Sequence, residues 1–269
     1  MPDLLTPDSL APRLRNTIFG RPENIHYFRS TTSTNEMATQ AGLAGAEEGS
    51  LFLADEQTAG RGRGGHSWHS SGGGGLYLSI LVRPNMNPTD VLWLSLIAGL
   101  SAHYAIESVL GTPPDLRWPN DIMLGNRKLG GILTEMNADS THVRQVVIGI
   151  GINVNQPSFP EDIAALATSM RIETGQDWPR TEIAAALLKS LDREYRALRT
   201  GLLANVSPSI VKRFERCSSY ARGASVVVEE AGGFTGQTVG LDSRGFLRVQ
   251  TDEGVKTVLS GGVRKLSKE

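Results

Sequence analysis

The sequence predicts an α/β domain followed by a small all-β module. From His26 onward, apolar β-rich runs alternate with helical patterns, the arrangement of an α/β layer structure. After Cys217 the texture changes to short strands separated by glycine-rich turns, about the right size for a small barrel and too small for a two-sheet sandwich. At 269 residues the chain has length for one large core plus a small second unit. The expected division is an N-terminal segment over 1–24, a larger domain over 25–216 and the β module over 217–269.

Taken in order, residues 9–19 read as a short helix, and the first two dozen residues are too few for a helix-turn-helix with its own core. "TTSTNE" (31–36) reads as a helix start, with Ser33 and Glu36 spaced as a capping box. "SLFLADE" (50–56), "LYLSILV" (76–82), "KLGGILTEM" (128–136) and "QVVIGIGINV" (145–154) have the composition of strands in a well-buried sheet. Residues 88–110 are apolar nearly all round, with Pro88 at the start and Gly111 just after, which predicts a buried helix. Ile183, Leu187, Leu191, Tyr195 and Leu198 make one apolar stripe at helical spacing. "ASVVVEE", "FTGQTVGLD", "GFLRVQT" and "VKTVLSG" supply the strands of the C-terminal module.

Composition narrows the function classes. Hydrophobic residues at 39% and charged residues at 20% are those of an ordinary globular protein. The formal net charge of -1 argues against a broad basic field for nucleic acid. Cys217 is the only cysteine, which excludes an internal disulfide and suits a reducing cytoplasm. No signal peptide and no bilayer-spanning run is read in the sequence, so a cytoplasmic protein without a membrane partner is expected.

Four stretches can carry chemistry. "QTAGRGRGGHSW" (57–68) holds two arginines, four glycines and no acid, a flexible cationic loop suited to an anion. "TTSTNE" places hydroxyl and amide groups at a helix start, where a polar ligand pocket can form. "RWPNDIML" (117–124) sets an amide and a carboxylate, Asn120 and Asp121, where a strand begins, and Lys128 follows at the head of the next strand before two glycines. "GIGIN" (149–153) alternates glycine with isoleucine inside a strand, a sign of close approach by a ligand or another backbone. No dinucleotide fingerprint or phosphate-binding P-loop is present. His66 and His69 have no partner ligands nearby in sequence and read as loop histidines.

Together and in this order, "STN" (33–35), "DEQTAGRGRGG" (55–65), "WPND" (118–121), "KLGGIL" (128–133) and "IGIGINV" (148–154) resemble the biotin–protein ligases, in particular their monofunctional class. The resemblance implies a core related to class II aminoacyl-tRNA synthetases with a mixed sheet, and a C-terminal SH3-like barrel. It implies ATP-dependent activation of biotin to biotinyl-5′-AMP, then transfer to a lysine of the biotin carboxyl carrier domain of acetyl-CoA carboxylase or related carboxylases. Ser33, Thr34, Asn35 and Gln57 match biotin-contacting positions, as a ureido head requires fixed neutral donors and acceptors. Gly60, Gly62 and Gly64 would let the loop fold over the ligand, while Arg61 and Arg63 meet phosphate and carboxylate. Lys128 matches the lysine between the biotin carboxylate and the α-phosphate. Lys128, Arg63 and Asp121 are the expected catalytic set, Asp121 also positioning Mg²⁺. Trp68 is expected as a wall or lid, and Asn120, Gly131, Gly151 and Asn153 complete the ligand-binding set. No DNA-binding domain is expected. The loop departs from many relatives in reading "GGHS" (64–67) where another basic residue is common. The alternatives are a lipoate–protein ligase on the same fold and, from another class, an RNA-binding protein using the Gly/Arg loop.

Overall fold

The computed structural model describes residues 5–201, 203–229 and 233–266. Within them lies a mixed sheet of β1 (Ile25–Phe28), β2 (Leu51–Ala54), β3 (Gly75–Val82), β4 (Asp115–Arg117), β5 (Asp121–Leu124), β6 (Arg127–Ala138) and β7 (Val143–Asn153). Its order is β1-β2-β3-β7-β6-β5-β4. The β1–β2 pair is parallel and the other pairs are antiparallel. The helices are α1 (Pro7–Leu10), α2 (Thr34–Leu43), α3 (Leu92–Leu110), α4 (Glu161–Ala164), α5 (Met170–Thr174), α6 (Arg180–Thr200) and α7 (Leu203–Arg216).

Period-two alternation assigns each face of the sheet. On β3, Leu76, Leu78, Ile80 and Val82 enter the main core, while Leu81 joins Ala38, Phe52 and Val147 beneath α2. On β7, Ile148, Ile150 and Ile152 face the main core. Gly149 and Gly151 therefore face α2, so the alternation in "GIGIN" separates core from site.

The long apolar helix appears as a 3₁₀ turn at Pro88–Asp90 followed by α3. Of the described helices, this region alone is long and apolar enough to cross a membrane. It is a core helix instead, packed on α6, α7 and the sheet. Gly111, at φ 77°, closes it in the left-handed conformation that glycine adopts without a Cβ clash.

The N-terminal helix is shorter than expected. It runs only over α1 and continues as a 3₁₀ turn at Ala11–Arg13, because Pro12 supplies no N–H for the α-helical ladder. Leu5, Leu10, Leu14 and Phe19 are buried in the main core, so the segment does not stand apart. The capping box does not form: Ser33 caps no backbone N–H, and Glu36 accepts from Thr32 Oγ1 at 2.7 Å.

The C-terminal strands are β8 (Arg222–Val228), β9 (Phe234–Leu241), β10 (Leu247–Thr251), β11 (Gly254–Val258) and β12 (Val263–Lys265). They form an antiparallel sheet in the order β11-β10-β9-β8-β12. Helix α7 and strand β12 are additions to the elements expected from sequence. The module docks on the larger domain through Trp118, whose indole N–H donates to Gly245 O at 2.9 Å in a buried bond. The Trp118–Pro119 peptide is cis.

Candidate active site

The sheet face under α2 carries a polar chain. Ser33, Thr34 and Asn35 open α2 and are buried. The free N–H of Thr34 donates to Gln57 Oε1 at 2.8 Å, so a loop side chain satisfies a group the helix start cannot. Gln57 Nε2 in turn donates to Ser70 Oγ at 2.8 Å. Ser79 is fully buried on β3; its Oγ donates to Asn35 Oδ1 at 2.5 Å and stands 2.8 Å from Thr34 Oγ1. Asn35 Nδ2 donates to Glu135 Oε2 at 2.7 Å, and Arg61 Nη2 reaches the same oxygen at 3.2 Å. A Cβ on Gly149 would stand 2.0 Å from Asn35 Oδ1, so glycine is what admits the amide.

The Gly/Arg loop is an irregular hairpin. Trp68 N donates to Gly60 O at 2.9 Å and Gly62 N to His66 O at 2.6 Å. Its tip turns through Gly64 and Gly65 at φ 68° and 81°. Arg63 Nη1 donates across to Gly261 O of the C-terminal module at 2.5 Å. Trp68 lies over the floor made by Gly131 and Gly151, which are paired across β6 and β7. A Cβ on Gly151 would approach the indole nitrogen to 2.6 Å. That indole N–H is buried without a hydrogen-bond partner.

Lys128 Nζ is 2.5 Å from Asp121 Oδ1 and 5.6 Å from the Trp68 ring centre. Arg117 Nη2 holds the other carboxylate oxygen, Oδ2, at 2.5 Å. Burial pushes the Asp121 carboxyl up, but the charges of Lys128 and Arg117 outweigh it and hold its pKa below the ordinary value. Burial also raises the Tyr77 phenol to about 12, so it stays neutral beside the pocket.

Two cavities meet here. A small one of about 50 Å³ is lined by Ser33, Thr34, Asn35, Gln57, Arg61, Gly62, Arg63, Trp68, Asn120, Lys128, Gly131 and Gly151. A large one of about 770 Å³ lies between the larger domain and the C-terminal module, and takes in Asp121 and Asn153. Gly62, Arg63, Trp68, Asn120 and Lys128 belong to both.

Two of the expected ligand-binding residues also have structural partners. Gly60 lines neither cavity; a Cβ there would meet Trp68 O at 2.5 Å, so it serves the hairpin. The Asn153 amide is engaged at both ends, donating to Thr168 O and accepting from Gln156. Ser79, Glu135 and Arg117 were not anticipated as site residues. A lone hydroxyl in the apolar run "LYLSILV" was the available signal for Ser79.

Asp121, the residue expected to position Mg²⁺, has Oδ1 paired with Lys128 and Oδ2 paired with Arg117. Among the described residues, no group of three or more His, Cys, Asp or Glu could hold a metal.

Known proteins share this architecture. Residues 27–153 match the Biotin/lipoate A/B protein ligase family and residues 223–265 match the Biotin protein ligase C terminal domain. The bifunctional ligase/repressor BirA of Bacillus spizizenii is 34% identical over 97% of this chain and 79% of its own. The biotin–[acetyl-CoA-carboxylase] ligase of Mycobacterium tuberculosis is 32% identical over 96% of this chain and 95% of its own. A biotin protein ligase from Aquifex aeolicus in complex with biotin and ATP superposes with a TM-score of 0.76 at 33% identity, covering 91% of this chain and 100% of that one. The chain belongs to the biotin protein ligase family.

Proposed function

We propose that the protein activates biotin with ATP to biotinyl-5′-AMP and transfers the biotinyl group to a lysine of a carboxylase carrier domain in the cytoplasm. The observation that carries this reading is the meeting of a small polar pocket and a large cavity at Lys128. The ureido ring fits the small pocket, where Ser33, Thr34, Asn35 and Gln57 supply neutral donors and acceptors in fixed places. The nucleotide fits the large cavity, against Arg117 and the C-terminal module.

The biotin carboxylate attacks the α-phosphorus, and pyrophosphate leaves with the bonding electrons. Lys128, at the junction, stabilises charge gathering on the carboxylate and phosphate oxygens, and Arg63 adds a second cation. Asp121, itself fixed by Arg117, holds Lys128 in place. The carrier amine then attacks the acyl carbon and AMP departs. The small cavity is below the usual 300–1,000 Å³ of a ligand pocket. Trp68 must therefore shift from the glycine floor when biotin enters. We further assign the larger sheet to a class II aminoacyl-tRNA synthetase-like core and the smaller to an SH3-like barrel, a reading supported by the strand order and the family match.

The test is pyrophosphate release on mixing the protein, ATP and Mg²⁺ with biotin or, separately, lipoate. Biotin should drive release and lipoate should not, because a dithiolane gains nothing from the polar chain at Gln57, Thr34 and Asn35. Equal or faster release with lipoate would overturn the reading.

A further inference from the structure

We propose that the site excludes free amines as a specificity device: guanidinium groups supply its other cations, and its single lysine is tied down by Asp121. The inference rests on the adenylate-forming function proposed above. Its chemical premise is that biotinyl-5′-AMP acylates amines. The nitrogen lone pair attacks the acyl carbon, a C–N bond forms, the C–O bond to phosphorus breaks, AMP leaves with that electron pair, and the amine loses a proton to solvent.

An enzyme that stores such a compound is itself the nearest source of amines. An ordinary lysine is about 1 part in 2,000 neutral at pH 7. Held against the acyl carbon, however, it gains an effective molarity of roughly 10⁵ M or more. Proximity therefore outweighs the scarcity of free amine, and an untethered lysine in the site would be consumed. A guanidinium carries the same charge and does not deprotonate in proteins.

The chain follows that chemistry. Its lysines are Lys128, Lys189, Lys212, Lys256, Lys265 and Lys268, so none precedes Lys128. Arg61, Arg63, Arg117 and Arg264 line the two cavities, and among the described lysines only Lys128 does. Lys128 is bonded to Asp121, a largely buried carboxylate that Arg117 fixes from its other side. An ammonium held by a carboxylate has no lone pair to offer, and its hydrogens are directed at Asp121 and not at the acyl carbon. Asp121 is thus a positioning residue that keeps Lys128 from competing with the carrier lysine.

The test supplies biotinyl-5′-AMP directly, without carrier, to wild type, Asp121→Asn, Asp121→Glu and Arg63→Lys, and locates biotin by peptide mass spectrometry. Asp121→Asn should carry biotin on Lys128 at roughly tenfold or more the wild-type level, because an untethered amine can reach the acyl carbon. Asp121→Glu should restore protection. Arg63→Lys should carry biotin at position 63, and this arm decides the matter if Asp121→Asn does not fold. Folded Asp121→Asn with Lys128 as unlabelled as in wild type overturns the role of Asp121. An unlabelled position 63 overturns the amine exclusion. Biotin-dependent pyrophosphate release by wild type, measured in parallel, separates these results from failure of the function itself.

Discussion

Lys128→Ala removes the one ammonium where the two cavities meet, and its side chain is about a third exposed, so the core loses little. Adenylate formation should fall roughly 10²–10³-fold, the usual loss for a group stabilising transition-state charge. Circular dichroism should be unchanged, and near wild-type pyrophosphate release would contradict the role. Gly149→Ala is a second test at this scale. Its Cβ would collide with Asn35 Oδ1, so the amide must move and the biotin KM should rise about tenfold, the worth of one hydrogen bond. An unchanged KM would show that Asn35 does not order the pocket. The glycine face was legible because glycine alternating with isoleucine on a two-faced strand signals close approach on the glycine side. Ser79, Glu135 and Arg117 were not, because their importance arises from side chains brought together from distant parts of the chain. The pairing of Asp121 was hidden for the same reason: sequence shows a carboxylate but not the two cations beside it.

The hairpin over residues 57–70 should respond as a unit when biotin enters. Trp68 must leave its place over Gly131 and Gly151, so biotin should change tryptophan fluorescence, and Trp68→Phe should abolish that change. A full signal in Trp68→Phe would assign it to Trp93, Trp118 or Trp178 instead. The β5–β6 hairpin, where Asp121 meets Lys128, carries a pH signature. Asp121 has a folded pKa below its unfolded value of 3.8, so its ion pairs contribute stability above that value. That contribution is lost as pH falls from about 4 through the folded pKa. Acid melts of wild type should therefore steepen below about pH 4, and Asp121→Asn should lose that steepening. Elements with strong periodicity, such as α3, α6 and the central strands, were legible. Helix α7 was not, because Pro208 inside it removes an N–H and argues locally against a helix that Ile210 and Phe214 stabilise by burial. The capping box at Ser33 misled because Gln57 reaches the helix start from across the loop.

The whole molecule brings its site together across two sheets. The C-terminal module contributes Gly261 to Arg63 and walls the large cavity, and it covers α3 through Gly245, against Trp93 and Leu96. A chain ending near Cys217 should lose adenylate formation and melt at lower temperature; normal activity in a soluble truncation would remove the module from the account. Gly245→Ala is a gentler probe, since φ is 86° and its Cβ would lie 2.9 Å from Leu96 Cδ1. It should destabilise the protein by about 1–3 kcal/mol, the range for overpacking, measured by denaturant melts. The most direct test of the central claim is a crystal structure with biotinyl-5′-AMP bound. The account predicts the ureido ring among Thr34, Asn35 and Gln57, the adenosine in the cavity beside the C-terminal module, and Lys128 Nζ at the acyl–phosphate linkage. An adenylate bound with Lys128 remote from that linkage, or with the ureido ring outside the α2 pocket, would contradict it.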